Sequence, residues 1–200
     1  MNIQQGIRLQ QAIVLLVLTA VLALAGCGSD SSTAPAPAAT ANFAVISDPH
    51  LYDAATLGGT ESAEFQAYLA GDRKMLVESI EILSSAITDL KTKSLDFVII
   101  SGDLTKDGEL INHQLMASKL AELKAGGKKV YVIPGNHDIY NPHAVSYKTS
   151  PTKPVTYISP NDFKQIYADY GYKDALYTDP NSLSYIAEPV KGLWLFALDS

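Results

Sequence analysis

Cysteine is almost absent. The 200 residues hold one, Cys27, so no intrachain disulfide can form. Positive charge is also scarce: 15 Lys and Arg stand against 21 Asp and Glu, a formal charge of −6. That acidity argues against a nucleic-acid polymer as partner, which calls for a basic surface. It leaves room for a small nucleotide held through metal. Long hydrophobic runs are missing too. The apolar stretch Ile13 to Leu24 is short of the roughly 20 residues of a membrane span. Internal repeats are lacking, and the one low-complexity run is Ser29 to Ala41. The length fits one domain with a tail, and 47% apolar residues suffice for a core.

What is present is a recurrent pairing of short apolar runs with polar donors. Phe43-Ala44-Val45-Ile46 precedes Asp48-Pro49-His50. Phe97-Val98-Ile99-Ile100 precedes Gly102-Asp103. Val130-Tyr131-Val132-Ile133 precedes Gly135-Asn136-His137-Asp138. Runs of this length, rich in β-branched residues, predict strands buried on both faces. Between the first two, residues 72 to 92 place Leu76, Ile80, Leu83, Ile87 and Leu90 on one helical face. Glu109 to Lys124 repeats the pattern, with Leu115, Leu120 and Leu123 inward and Gly126-Gly127 as its stop. Strand, helix, strand, helix, strand is an α/β layered fold with crossover helices.

The remaining segments are less regular. Leu51 to Gly71 reads as a long loop or partly helical excursion beside the strand ends. Pro142 to Pro160 reads as irregular, Asn161 to Tyr170 as a short helix, and Leu193 to Leu198 as a fourth buried strand. Nine of the eleven tyrosines fall between Tyr131 and Tyr185, and amphipathic packing is their expected use.

Ligands in open α/β sheets collect beyond the carboxyl ends of the strands. Three strands therefore deliver oxygen and imidazole donors to one edge, a set suited to a pair of divalent cations. Asp48 and His50, two apart on extended chain, would point to one side and grip one ion. Asp103 could bridge two ions, offsetting the repulsion between cations roughly 3.5–4 Å apart. Asn136 offers a neutral oxygen to the second. His137 could meet substrate as acid or electrostatic stabiliser, with Asp138 orienting it. Each motif alone is weak, since an Asp at a strand end is often a turn former. Their conjunction on three strand ends is specific. His113 is expected on a helix as a surface or packing residue, and His143 as a loop residue.

These motifs, with Gly108 five residues after Asp103 and the terminal Leu198-Asp199-Ser200, resemble those of the calcineurin-like metallophosphoesterases over roughly residues 42–200. The resemblance implies a layered α/β/β/α sandwich, with its second sheet incomplete in this chain. It implies a metal-dependent phosphoric ester hydrolase with two divalent ions (Mn, Fe, Zn or Mg), using a metal-bound hydroxide against phosphorus. Asp48 and His50 would hold the first metal, Asp103 would bridge, Asn136 would hold the second, and His137 would be acid or transition-state stabiliser. The run Gly102-Asp103-Leu104-Thr105 is most similar to the cyclic-nucleotide phosphodiesterase-like branch. Lys106 stands where purple acid phosphatases carry a tyrosine. The substrate implied is a small phosphate ester, monoester or diester, with nucleotides among the candidates.

The N-terminus resembles a bacterial lipoprotein signal. Arg8 leads the apolar stretch, and Leu24-Ala25-Gly26 closes it before Cys27. The implied organisation is a signal over 1–27, lipidation at Cys27, a flexible tether over 28–41, and a domain over 42–200. It places the domain in a bacterial cell envelope, lipid-anchored and facing outside the cytoplasm. The family completes its metal shell with further histidines, two of them in Gly-His-x-His, and these 200 residues contain no such motif. The expectation is therefore the N-terminal part of a longer enzyme. The alternative is a non-catalytic envelope lipoprotein that uses a degraded phosphoesterase fold for binding.

Overall fold

The computed structural model describes residues 40–199. The signal stretch with Cys27, and the tether as far as residue 39, lie outside the described residues. Three parallel strands, β1 (Phe43–Ser47), β2 (Phe97–Ser101) and β3 (Lys129–Ile133), form a sheet in that order. Val45 lies opposite Ile99, and Ile99 opposite Tyr131. The chain passes from β1 to β2 through α1 (Ala54–Leu57), α2 (Ala63–Gly71) and α3 (Ser79–Thr92), and from β2 to β3 through α4 (Leu110–Ala125). Alternation across the strands sends Val98, Ile100, Val130 and Val132 to one side. There they pack with Leu83 and Ile87 of α3 and Met116, Leu120 and Leu123 of α4. Each such side chain contributes about 1.5–3 kcal/mol relative to an exposed one.

The opposite side of the sheet meets a second one. After the two-residue pair β4 (Val145–Ser146) and β5 (Lys153–Pro154) come α5 (Pro160–Ile166) and a wide helical turn at Ala168–Tyr172. The strands β6 (Tyr177–Thr178), β7 (Tyr185–Val190) and β8 (Leu193–Ala197) then pair antiparallel, in that order. Tyr185, Ala187 and Ala197 pack on Phe97 and Tyr131. Helices, sheet and sheet are thus layered, as the sequence predicts. No helix among the described residues is long and apolar enough to cross a membrane.

Several expectations need correction. β1 is not buried on both faces: Phe43 is 50% and Val45 54% exposed. It is an edge strand, and the apolar cluster between the sheets is built on Phe97 and Tyr131 of β2 and β3. Leu193–Leu198 does form a strand, over Leu193–Ala197, but not a buried one. Its alternate residues Trp194 and Phe196 are exposed, while Ala197 is buried. An all-apolar run hides this alternation from a periodicity argument. The first long helix begins at Ser79, not residue 72. Leu76 is buried ahead of it, in a satellite cluster with Tyr52, Leu57, Phe65 and Tyr147. The buried face of α4 carries Asn112, His113 and Met116, with Leu115 half-buried. The helix expected over Asn161–Tyr170 stops at Ile166. Its start is fixed by Ser159 and Asp162 in a reciprocal cap with Pro160 in the first turn. In the turn that follows, Gly171 has φ 119°, and a Cβ there would collide with the Tyr185 ring.

Candidate metal centre

The three strand ends continue as loops that hydrogen-bond one another. The Asp48 N–H donates to Gly102 O (3.2 Å), His50 N–H to Asp103 O (3.0 Å), and Leu51 N–H to Leu104 O (3.0 Å). Gly102 N–H in turn donates to Ile133 O (3.1 Å). Asp48, His50 and Asp103 all leave the strand conformation, with φ of 51°, 41° and 41°. They are three of the four non-glycine residues with positive φ among the described residues. Such backbone is sparsely populated and is held where the surroundings over-determine it. The expected geometry, Asp48 and His50 side by side on extended chain, is therefore not what brings them together. Two left-handed turns do.

The result is a cluster of donors. Ligand atoms of Asp48, His50 and Asp103 lie within 4.8 Å of one another. His50 Nε2 is 3.7 Å from Asp103 Oδ2. Its Nδ1 is 3.4 Å from the carbonyl oxygen of Thr105. A carbonyl only accepts, so Nδ1 carries the proton and Nε2 presents its lone pair to the cluster. This is how a metal-binding histidine is held, with its other ring nitrogen tied to a backbone oxygen. Burial, then the charge of Lys74, lowers the His50 pKa, against the pull of Asp103. The ring is thereby kept neutral and able to ligate. Two carboxylates and a neutral imidazole fit a divalent cation.

The loop after β3 closes on this cluster. Asp103 Oδ1 accepts the N–H of His137 at 3.0 Å. The His137 ring stands edge-on to that of His50, with centroids 5.1 Å apart. Asn136 is exposed at the turn between Gly135 and His137. Gly135 lies so close to Asp103 that a Cβ would collide with the carboxylate and amide of that residue.

Asp138 does not orient His137. Its carboxylate accepts from Leu104 N (3.0 Å), Thr105 N (2.9 Å), Thr105 Oγ1 (2.9 Å) and Gly135 N (2.9 Å). Fully buried, it staples the second loop to the third. Burial pushes it up to about 6, against the pull of these four donors. The partner of His137 is Asp107. His137 Nδ1 lies 2.9 Å from Asp107 Oδ1 and 2.8 Å from the carbonyl oxygen of Lys106. Both accept, so Nδ1 holds the proton and Nε2 is the free atom. Asn141 Nδ2 supports the arrangement, donating to Asp107 Oδ1 and to His137 O at 3.2 Å each. Asp107 follows Asp103 by four residues, just before Gly108. The positive φ of Gly108 (74°) turns the chain back onto Asp138. A polar residue ahead of such a glycine was the available signal.

The two remaining histidines stay outside the cluster. His113 is buried beneath the loops, its Nε2 donating to Asp138 O (2.9 Å) and its Nδ1 facing Tyr167 Oη (2.8 Å). It is a packing histidine, and burial lowers its pKa to about 4. His143 is exposed on the following loop.

The family model for calcineurin-like phosphoesterases matches residues 41–192. The chain belongs to the calcineurin-like phosphoesterases. No curated protein matches it. The chemistry of this phosphoesterase family is metal-dependent hydrolysis of phosphate esters, and the Asp48–His50–Asp103 group is a candidate seat for the metal.

Proposed function

We propose that this phosphoesterase hydrolyses small phosphate esters at a two-metal site. Asp48 and His50 hold one ion, Asp103 is shared, and Asn136 serves the second. The observation that carries the reading is Asp103. One of its oxygens lies in the donor cluster with His50 and the other binds the turn that bears Asn136 and His137. Divalent ions there (Mn, Fe, Zn or Mg) supply Lewis acidity toward the phosphoryl oxygens and lower the pKa of water. The chain supplies the rest. His137, with its proton fixed at Nδ1 by Asp107 and Lys106 O, presents Nε2 toward the substrate. As imidazolium it donates from that atom to a phosphoryl or leaving-group oxygen. The run Gly102-Asp103-Leu104-Thr105 supports the cyclic-nucleotide phosphodiesterase-like branch, and with it a diester substrate, nucleotides included. Lipidation at Cys27 would hold the domain at a bacterial envelope membrane. Its support is the short apolar stretch closed by Leu24-Ala25-Gly26.

The test is hydrolysis of bis-p-nitrophenyl phosphate by the full chain with Mn²⁺. Wild type turns over, and Asp103→Asn with His137→Ala abolishes the activity. Activity that survives both changes refutes the assignment, and binding of the ester without turnover with any of the four metals favours the non-catalytic alternative. For the anchor, Cys27→Ser releases the protein from membranes, and retention at the wild-type level refutes lipidation.

A further inference from the structure

Lys106 is fully buried. Its ammonium lies over the Tyr68 ring, 4.3 Å from the centroid, and 5.2 Å from that of Tyr147. It pairs with Asp107 Oδ2, while Asp107 Oδ1 faces His137 Nδ1. A buried ammonium is expensive to desolvate, and an apolar side chain of similar volume would fill the same space at less cost. Packing alone therefore does not account for a lysine here. We propose that Lys106 is a positioning residue for His137: clamped between Tyr68 and Tyr147, its charge pins one oxygen of Asp107 so that the other meets the imidazole.

Two contacts converge on the same ring atom. The Lys106 carbonyl oxygen touches His137 Nδ1 directly, and the Lys106 ammonium fixes the carboxylate beside it. Asp107 is itself nearly buried, its side chain 4% exposed. Without the ammonium its Oδ2 loses its partner, and only Asn141 Nδ2 and His137 Nδ1, both on Oδ1, still hold the carboxylate. The carboxylate is then free to rotate away from the ring, and the Lys106 carbonyl oxygen is left alone to hold the His137 tautomer. The clamp also reaches further. Tyr68 belongs to α2, in the excursion after β1, and its hydroxyl donates to Asp72 (2.8 Å). That excursion thereby acquires a purpose: it closes an aromatic box around the cation that steadies His137. The carboxylate, the two rings and the Lys106 backbone form one continuous path from α2 to the candidate centre.

The kinetic arm of the test rests on the hydrolase reading, but the spectroscopic arm does not. In full-length, metal-free protein labelled with ¹⁵N-histidine, His137 with its ring neutral shows the Nδ1–H tautomer. His137→Gln assigns the signal. Lys106→Met converts it to a tautomer mixture and lowers Mn²⁺-dependent kcat about 10–100-fold, with KM unchanged. Tyr68→Leu acts in the same direction to a smaller extent. If Lys106→Met fails to fold, Tyr68→Leu carries the test, because it opens the clamp around the ammonium and leaves Asp107 in place. A folded variant of either kind with the wild-type His137 signal overturns the proposal. A wild-type protein that hydrolyses nothing overturns the hydrolase reading and leaves the tautomer result standing.

Discussion

Asp103 reaches from the end of β2 to the loop after β3, where its Oδ1 accepts the main-chain N–H of His137 at 3.0 Å. Its Oδ2 meanwhile lies 3.7 Å from His50 Nε2. One side chain thus both enters the donor cluster and locks the adjoining turn. These two duties can be separated by mutation. Asn retains an oxygen acceptor for the His137 amide but removes the charge, whereas Ala removes both. We expect Asp103→Asn to keep its melting temperature while losing Mn²⁺ affinity at least about tenfold by calorimetry. Asp103→Ala should lose affinity and also melt lower, by about 1–3 kcal/mol for the orphaned amide. Equal melting of the two variants would show that the bond to His137 contributes nothing.

Asp107 and Asp138 should fail differently. Asp107→Ala takes the acceptor from the His137 ring, so kcat falls about 10–100-fold with little change in KM, and it costs stability as well because the buried Lys106 ammonium loses its counter-charge. Asp138→Ala strands the fully buried amides of Leu104 and Thr105 and the half-buried amide of Gly135. Each such donor costs about 1–3 kcal/mol, so the protein should be several kcal/mol less stable, read by urea unfolding. A stable Asp138→Ala protein with a selective kcat defect would restore Asp138 as the partner of His137.

The three strands of the parallel sheet and the two long crossover helices were legible because their hydrophobic patterns state both element and direction. So was the convergence of Asp48, His50 and Asp103, since strand ends in such sheets share an edge. What escaped was set by tertiary context. The exposure of Phe43 and Val45 depends on which strands the second sheet covers. The strand β7 carries Glu188 and Pro189 amid its apolar residues, which masks it. The role of Asp107 depends on a turn at Gly108 that brings residue 107 under His137. Proximity in sequence favoured Asp138 instead, yet a residue adjacent to His137 cannot easily turn its carboxylate to that ring while capping amides on the neighbouring loop.

Gly135 is the narrowest point between the second and third loops. Its backbone stands against the Asp103 carboxylate and amide, leaving no room for a Cβ. Gly135→Ala must therefore displace Asp103 or the turn. The expected outcome is a loss of about 1–3 kcal/mol from overpacking together with weakened Mn²⁺ binding. The Gly71→Ala control, where a Cβ meets nothing within 4 Å, should leave both unchanged. Wild-type metal affinity in Gly135→Ala would mean that this close approach does not position Asp103.

His113 and Asp138 impose opposite pH dependences on stability. Burial lowers His113 from its ordinary 6.5 to about 4. Between these values the unfolded chain binds the extra proton, so the stability conferred by a neutral His113 is complete above 6.5 and is lost as pH falls toward 4. Burial raises Asp138 from 3.8 to about 6. Here the folded state binds the extra proton, so stability is lost as pH rises through that window. The two effects are each about 3 kcal/mol and largely cancel in wild type. His113→Gln removes one of them. In chelated protein its deficit relative to wild type should be greatest near pH 7 and shrink by about 3 kcal/mol toward pH 4, as its own curve falls with rising pH under the control of Asp138. Melting temperatures across that range decide the matter, and a deficit independent of pH would show that His113 is not held neutral by burial.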